Sequence, residues 1–394
     1  MGRSYSQGMK DGSAALDRAV VGPGVRASNR LGLDYRAQAR LLAPPPLPRG
    51  SRGILDIHAH INGPAAARIY REVAELFGIS MTFTQVRLPE AEAVRETLGD
   101  FVRFIAFPNF READKRRAFT EGYLEDIAAF HEGFGARILK LWNAPRMYEF
   151  FEGDSGKDLI EFDSPWRVRH AHLGEQLGMM FMVHVADPDT WFATRYKDAS
   201  RFMRKIDHYR GLRVMLDRFK GPWIAAHMGG WPEDLGFLSE MLEKHPNLYL
   251  DTSATKWIVR EISMHPREES VDFFVRWKDR ILFGSDIVTT DEHLTPKPPP
   301  MEATTKHPMA DLADSPESAF DLYASRYLAL RMMLETGYLG ESPIADPDLV
   351  MIDPARFGPM DAPTLRGLAL PRDVLEALYG GTARRVLASV GITV

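Results

Sequence analysis

The chain has 394 residues, 45% of them hydrophobic, with a formal net charge of −5 and no cysteine. No Lys/Arg run or basic stripe stands out against the acidic residues, which argues against nucleic acid and for a small-molecule substrate. Without cysteine, disulfides, thiolate metal sites and cysteine nucleophiles are excluded together, so any metal must be held by His, Asp or Glu.

Residues 1 to 50 mix Gly, Ser, Arg and Pro, with a short helix expected near Leu31 to Leu42, and end in Pro44-Pro45-Pro46-Leu47-Pro48. This tract suits neither a helix nor a central strand, so the segment reads as an extension that packs on the outside or exchanges with another subunit. Met1-Gly2-Arg3-Ser4-Tyr5-Ser6 fits a myristoylation pattern, but no basic cluster or second anchor supports it. No apolar h-region follows, and no stretch approaches the roughly 18 apolar residues of a membrane span. A soluble, cytoplasmic protein without a membrane partner is the expectation; a homo-oligomer is compatible with it.

Residues 51–394 then read as one repeating pattern. Ile54 to His60 is a short buried strand ending at the turn residues Asn62, Gly63 and Pro64, and alternation along it places Asp56, His58 and His60 on one face. Helix Ala65 to Phe77 precedes strand Ile79 to Val86, helix Glu90 to Leu98 precedes strand Phe101 to Phe107, and helix Phe119 to Gly133 precedes strand Ala136 to Trp142. Helix Ser164 to Leu177 leads to strand Met179 to Val185, and helix Ala199 to Phe219 to strand Trp223 to His227. The helix after Pro232 leads to Leu248 to Asp251, and Val271 to Trp277 to Ile281 to Ser285. Eight strands separated by helical segments predict an α/β fold, a (β/α)8 TIM barrel. A Pro-rich loop from Thr295 toward Ser318, an eighth helix Pro316 to Glu335, an irregular stretch Gly337 to Ala369 and a final helix after Pro371 complete the chain.

In such barrels the active site lies at the C-terminal ends of the strands. His58 and His60 end the first strand, Lys140 lies late in the fourth, His184 ends the fifth, His227 ends the sixth and Asp286 follows the eighth. Each of them singly could be a buried polar group satisfied by a hydrogen bond. Two imidazoles two residues apart on a rigid strand can, however, turn their ring nitrogens toward one point, as a metal requires.

The motifs Leu55-Asp56-Ile57-His58-Ala59-His60, Val183-His184-Val185-Ala186-Asp187-Pro188, Ala226-His227-Met228-Gly229-Gly230, Asn247-Leu248-Tyr249-Leu250-Asp251 and Leu282-Phe283-Gly284-Ser285-Asp286 carry a family likeness. The chain resembles the amidohydrolase superfamily, in the branch that includes aminocarboxymuconate semialdehyde decarboxylase and related metal-dependent hydrolases. The resemblance implies a distorted barrel holding one divalent metal, commonly zinc, through His58, His60 and His184 with Asp286 as a further ligand. It also implies that His227 is the acid/base and substrate-polarising residue. Three neutral imidazoles leave most of such an ion's charge uncompensated, so water there gives up a proton near neutral pH and Asp286 can accept it. His227 can steady the oxyanion formed when a carbonyl is attacked. Gly381-Thr382-Ala383 departs from the Gly-Asn-Ala common among relatives, a change expected to touch packing and not chemistry.

Some alternatives stay open at this point. Lys140 is a substrate-pocket residue or, carbamylated, a bridge between two ions. Arg195 and Trp191, with Asp187 and Tyr196, could line the pocket, Arg195 clamping a substrate carboxylate, or lie on a solvated loop. Trp142, Trp231, Trp257 and Phe192 suggest aromatic lining. The expected reaction is hydrolysis of an amide, ester or lactone, with non-oxidative decarboxylation of an unsaturated or aromatic acid as the alternative and a non-catalytic barrel as a third reading.

Overall fold

The apolar runs become parallel strands: β1 (Ile54–Ile61), β2 (Ile79–Gln85), β3 (Val102–Ala106), β4 (Ile138–Trp142), β5 (Met180–His184), β6 (Trp223–Ala225), β7 (Leu248–Asp251), β8 (Ile281–Leu282) and β9 (Ile287–Thr289). They pair in the order β8-β7-β6-β5-β4-β3-β2-β1-β9. The computed structural model describes residues 22, 26–151, 156, 158–296 and 313–394, and most of the expected Pro-rich loop, residues 297–312, lies outside them, as do 1–21 and the myristoylation pattern. The strands form a TIM barrel, closed by one stretch that crosses between its edges. β8 pairs with β7, β9 pairs with β1, and the residues between them bond to β1 through Ile57 N–H to Phe283 O (2.9 Å) and Asp286 N–H to His58 O (2.8 Å).

That stretch corrects the single strand expected over Ile281 to Ser285. The ladder breaks at Phe283 because the chain must turn, and Asp286 takes a left-handed φ of 57°. Gly284 passes so close to β1 that an added Cβ would stand 3.0 Å from the Cβ of His58. A second correction concerns β1. Its register shifts between Asp56 and Ala59, so Asp56 does not share a face with His58 and His60. Asp56 turns outward to accept from Ser285 Oγ (2.6 Å) and Tyr327 Oη (2.7 Å), while also accepting the His58 N–H at 3.1 Å. A carboxylate that binds the backbone two residues on holds such a bulge, and bulges re-aim side chains beside sites.

Further breaks have the same origin. The expected helix Ala199 to Phe219 is two helices, Ala199–Phe202 and Lys205–Arg218, parted at Met203 (φ 60°). β6 stops at Ala225 because His227 and Met228 are left-handed. A helix not expected from the sequence, Thr255–Met264, follows β7, and the irregular late stretch contains a hairpin of β10 (Leu339–Glu341) and β11 (Thr364–Arg366). The helix Pro316–Glu335 lies where the sequence places it, with Pro316 at its first turn and Ser315 as cap. Ahead of the barrel, the helix Tyr35–Leu41 packs on it through Arg36 over the Phe320 ring at 3.8 Å.

Two apolar layers hold the barrel. Outward residues such as Leu139, Leu141, Phe181 and Val183 meet helix residues such as Tyr123, Ile127, Leu212 and Met215. Inward, Leu55, Ile57, Phe83, Ile105, Ile138, Met180, Met182, Ile224 and Leu282 fill the base of the barrel, sealed by Ala383, Val386 and Leu387 from the helix Thr382–Ala388. Burying a side chain of this size contributes about 1.5–3 kcal/mol. No described helix is long and apolar enough to cross a membrane.

Candidate active site

Above the apolar base, the inward positions turn ionisable. His58 is fully buried and donates from Nδ1 to Asp251 Oδ2 at 2.8 Å. Burial, with the Lys140 charge beside it, holds the His58 pKa down. Burial opposes ionisation of Asp251, but the interaction with His58, including its hydrogen bond, holds the carboxyl well below the usual range. A neutral imidazole fixed by a carboxylate at Nδ1 presents the lone pair of Nε2 to the cavity, which is how a metal-ligating histidine is oriented.

Three ligand atoms converge there. His58 Nε2 lies 3.5 Å and His60 Nε2 3.2 Å from Asp286 Oδ1, and the donors of all three residues fall within 4.8 Å of one another. His60 and Asp286 have side chains 23% and 25% exposed, so solvent reaches the cluster. Burial opposes ionisation of Asp286, but the hydrogen bond from His60 and the surrounding imidazoles hold its carboxyl well below the ordinary value. His58, His227 and Asp251 form a second such group, but its carboxylate is already engaged by His58 Nδ1 and by the His227 N–H at 2.8 Å.

His184 stands one histidine further away. Its Nε2 is 2.9 Å from Asp187 Oδ1, whose other oxygen accepts from Tyr196, and its Nδ1 is 3.2 Å from His227 Nε2. His227 is stacked on His58 with ring centroids 5.1 Å apart and is 2.7 Å from Ser253 Oγ at Nδ1. Burial, with the neighbouring His184, His58 and Lys140 groups, drives its pKa well down. Lys140 Nζ lies 3.3 Å from His58 Nε2, and burial pulls its pKa down to about 8.

The remaining candidates fall on the pocket wall or beside it. Arg195 makes paired hydrogen bonds to Glu149 at 2.8 and 2.7 Å, so its fork is taken by the protein itself. Trp191 and Trp257 both donate to Asp348 Oδ2, at 2.9 and 2.8 Å. Trp257 stands edge-on to His227 and His184 with centroids 5.7 and 6.3 Å away, Trp142 lies 6.4 Å from His184, and Phe107 lies 5.7 Å from His60. Trp231 instead stacks on Tyr209, and Phe192 meets Tyr196 edge-on.

The sequence alone assigns no site role to Asp251, Ser253, Asp56 or Asp348. Asp251 carries the signal that singled out Asp286, a carboxylate ending a short apolar run. Asp348 carries none, since it reaches Trp257 across 91 residues of chain.

The profile of the amidohydrolase family matches residues 59–388. Among solved structures, the chain is similar to 2,6-dihydroxybenzoate decarboxylase from Rhizobium (13% identity, TM-score 0.38, 69% of this chain and 99% of that one). It is also similar to an amidohydrolase from Burkholderia multivorans (12%, 0.41, 85% and 99%) and to a probable 2-pyrone-4,6-dicarboxylic acid hydrolase from Acinetobacter baumannii (10%, 0.39, 59% and 84%). No curated protein matches.

Proposed function

Because the chain belongs to the amidohydrolase family, we propose that it is a metal-dependent hydrolase cleaving an amide, ester or lactone of a small molecule with an activated water. The observation that supports this best is the meeting of His58, His60 and Asp286 at a solvent-reached barrel mouth, with His58 fixed from behind by Asp251. Imidazole nitrogens and a carboxylate are the donor set a divalent ion of the zinc type takes, so His58, His60 and Asp286 fit one ion, while His184, expected as a third histidine ligand, has both ring nitrogens engaged by Asp187 and His227. When bound, such an ion supplies Lewis acidity toward the carbonyl and makes water more acidic.

The protein's own groups do the rest. Asp286, kept ionised, accepts the proton of the attacking water and delivers it to the leaving nitrogen or oxygen as the carbonyl carbon–heteroatom bond breaks. His227, held between Ser253 and His184, faces the carbonyl oxygen and stabilises the charge it gains. Trp142, Trp257 and Phe107 exclude water from the apolar part of the substrate. That aromatic wall also favours the second reading, decarboxylation of a planar acid, in which Asp286, after taking up a proton from solvent water, delivers it to the carbon that carbon dioxide leaves.

A panel of lactones, esters, amides and aromatic acids, assayed with chelator and with metal added back, tests the proposal. Turnover that chelation removes and metal restores is expected, together with about one divalent ion per chain. Two ions with a carbamylated Lys140 would replace the one-metal version, and carbon dioxide release without any hydrolysis would transfer the assignment to the second reading.

A further inference from the structure

Behind the pocket lies a buried cation with no counter-charge among the described residues. Arg167, on the first turn of the helix Pro165–Gln176, is fully buried. Its Nη2 donates to the carbonyl of Trp142 at 2.9 Å and sits 3.0 Å from Met147 Sδ, and the guanidinium lies over the Phe119 ring at 5.9 Å. Its Nε and Nη1 have no partner, and among the described residues no carboxylate pairs with it. The apolar cluster of Phe119, Met147, Leu159, Ile160 and Trp166 lies on one side, and the buried Tyr123 hydroxyl and His170 ring, neither of them a carboxylate, are the polar neighbours of Arg167. A charged group in such a place is costly unless it is paired. Burial does pull its pKa down, but only to about 10, so it stays charged at neutral pH.

The helix end adds to the same field. Ser164, its N-cap, makes no capping hydrogen bond, and its hydroxyl is buried and unpartnered. Ser164 and Arg167 are three residues apart, hence neighbours on one helix face, where the N-terminal end of the dipole is positive. The first helical residue is Pro165, which has no N–H to offer, and the Trp166 N–H is used on Asp158 O at 3.3 Å. Two unpartnered guanidinium nitrogens, an unpartnered hydroxyl and a helix N-terminus thus belong to one helix start, where no described carboxylate offsets the positive charge.

We propose that Arg167 and Ser164 form a buried binding site for a single carboxylate group, separated from the histidine cluster by Trp142. A monoanion balances the charge, and its oxygens accept from both the guanidinium and the hydroxyl. Trp142 links the two places: its carbonyl holds Arg167 and its ring stands 6.4 Å from His184. The inference rests on neither the metal nor the reaction.

The test is thermal unfolding of the full chain while sodium acetate replaces sodium chloride at fixed ionic strength. A ligand that binds only the folded state raises the melting temperature in a saturable way. The native protein is expected to show that rise, and Arg167→Met to lose it while being at least as stable in chloride alone, because an unpaired buried charge has gone. Acetate bound at the histidine cluster would act equally on both proteins, so an undiminished response in Arg167→Met overturns the proposal. So does a variant merely less stable with no acetate effect in either protein, which would leave Arg167 as a prop for Trp142. If Arg167→Met does not fold, Ser164→Ala is expected to raise the acetate midpoint several-fold, and an unchanged midpoint overturns the proposal equally.

Discussion

The two ends of the barrel interior are built from the same strands and have opposite characters. At the base, Ile138, Met180 and Met182 fill space with apolar volume; one or two inward positions later, the same strands present Lys140 and His184. The dihedral angles divide in the same way. Of six non-glycine residues with left-handed φ among those described, His227, Met228, Ala254 and Asp286 lie at the mouth, and none belongs to the apolar cluster that fills the base. Each such residue costs on the order of 1–2 kcal/mol. The base therefore offsets, through packing, strain that the mouth retains in order to aim its side chains.

The sharpest way to break this division is at the mouth. His58→Ala is expected to lose both bound metal and all measurable turnover, since His58 belongs to both candidate ligand groups; a variant that keeps its metal and rate would move the centre elsewhere. His227→Ala should retain metal while turnover falls about 10²- to 10⁴-fold. Release of the metal from that variant would make His227 a ligand. Asp286→Asn, folded and metal-loaded, should lose at least about 10²-fold, because an amide cannot take the proton; near-normal turnover would remove Asp286 as the base.

Changes away from these side chains should register as stability and not as rate. Met182→Ala at the base is expected to cost about 2–5 kcal/mol in urea unfolding with kcat unchanged in the folded fraction. A fall in kcat would show that the base also shapes the mouth. The smallest effect belongs to Ala254→Gly, which relieves a left-handed alanine at φ 59° and should gain up to about 1 kcal/mol; a loss there would mean that the mouth is not strained.

The same contrast explains what the sequence revealed. Apolar periodicity and proline caps are local, so the eight strands and the helix Pro316–Glu335 could be read with small boundary errors, as could the histidines ending their runs. The bulge in β1 could not, because it depends on Asp56 meeting Ser285 and Tyr327 from distant elements. The break after β8 and the early end of β6 come from left-handed residues imposed by closure and by the site, against local propensity. Asp348 and Glu149 are tertiary partners: one makes a pocket wall of two tryptophans, the other occupies the arginine that resembled a substrate clamp.

The seal formed by Ala383, Val386 and Leu387 also has a consequence in time. On the ribosome, the strands that carry the histidines emerge well before the residues that plug the bottom of the cylinder and before Asp348, which fixes the tryptophan wall. At bacterial-to-eukaryotic elongation speeds the interval is on the order of ten seconds. During it the nascent cylinder is open below and unlined above, so neither a stable fold nor a shaped pocket can arise piecemeal. Both arrive together, once the residues of the plug have emerged.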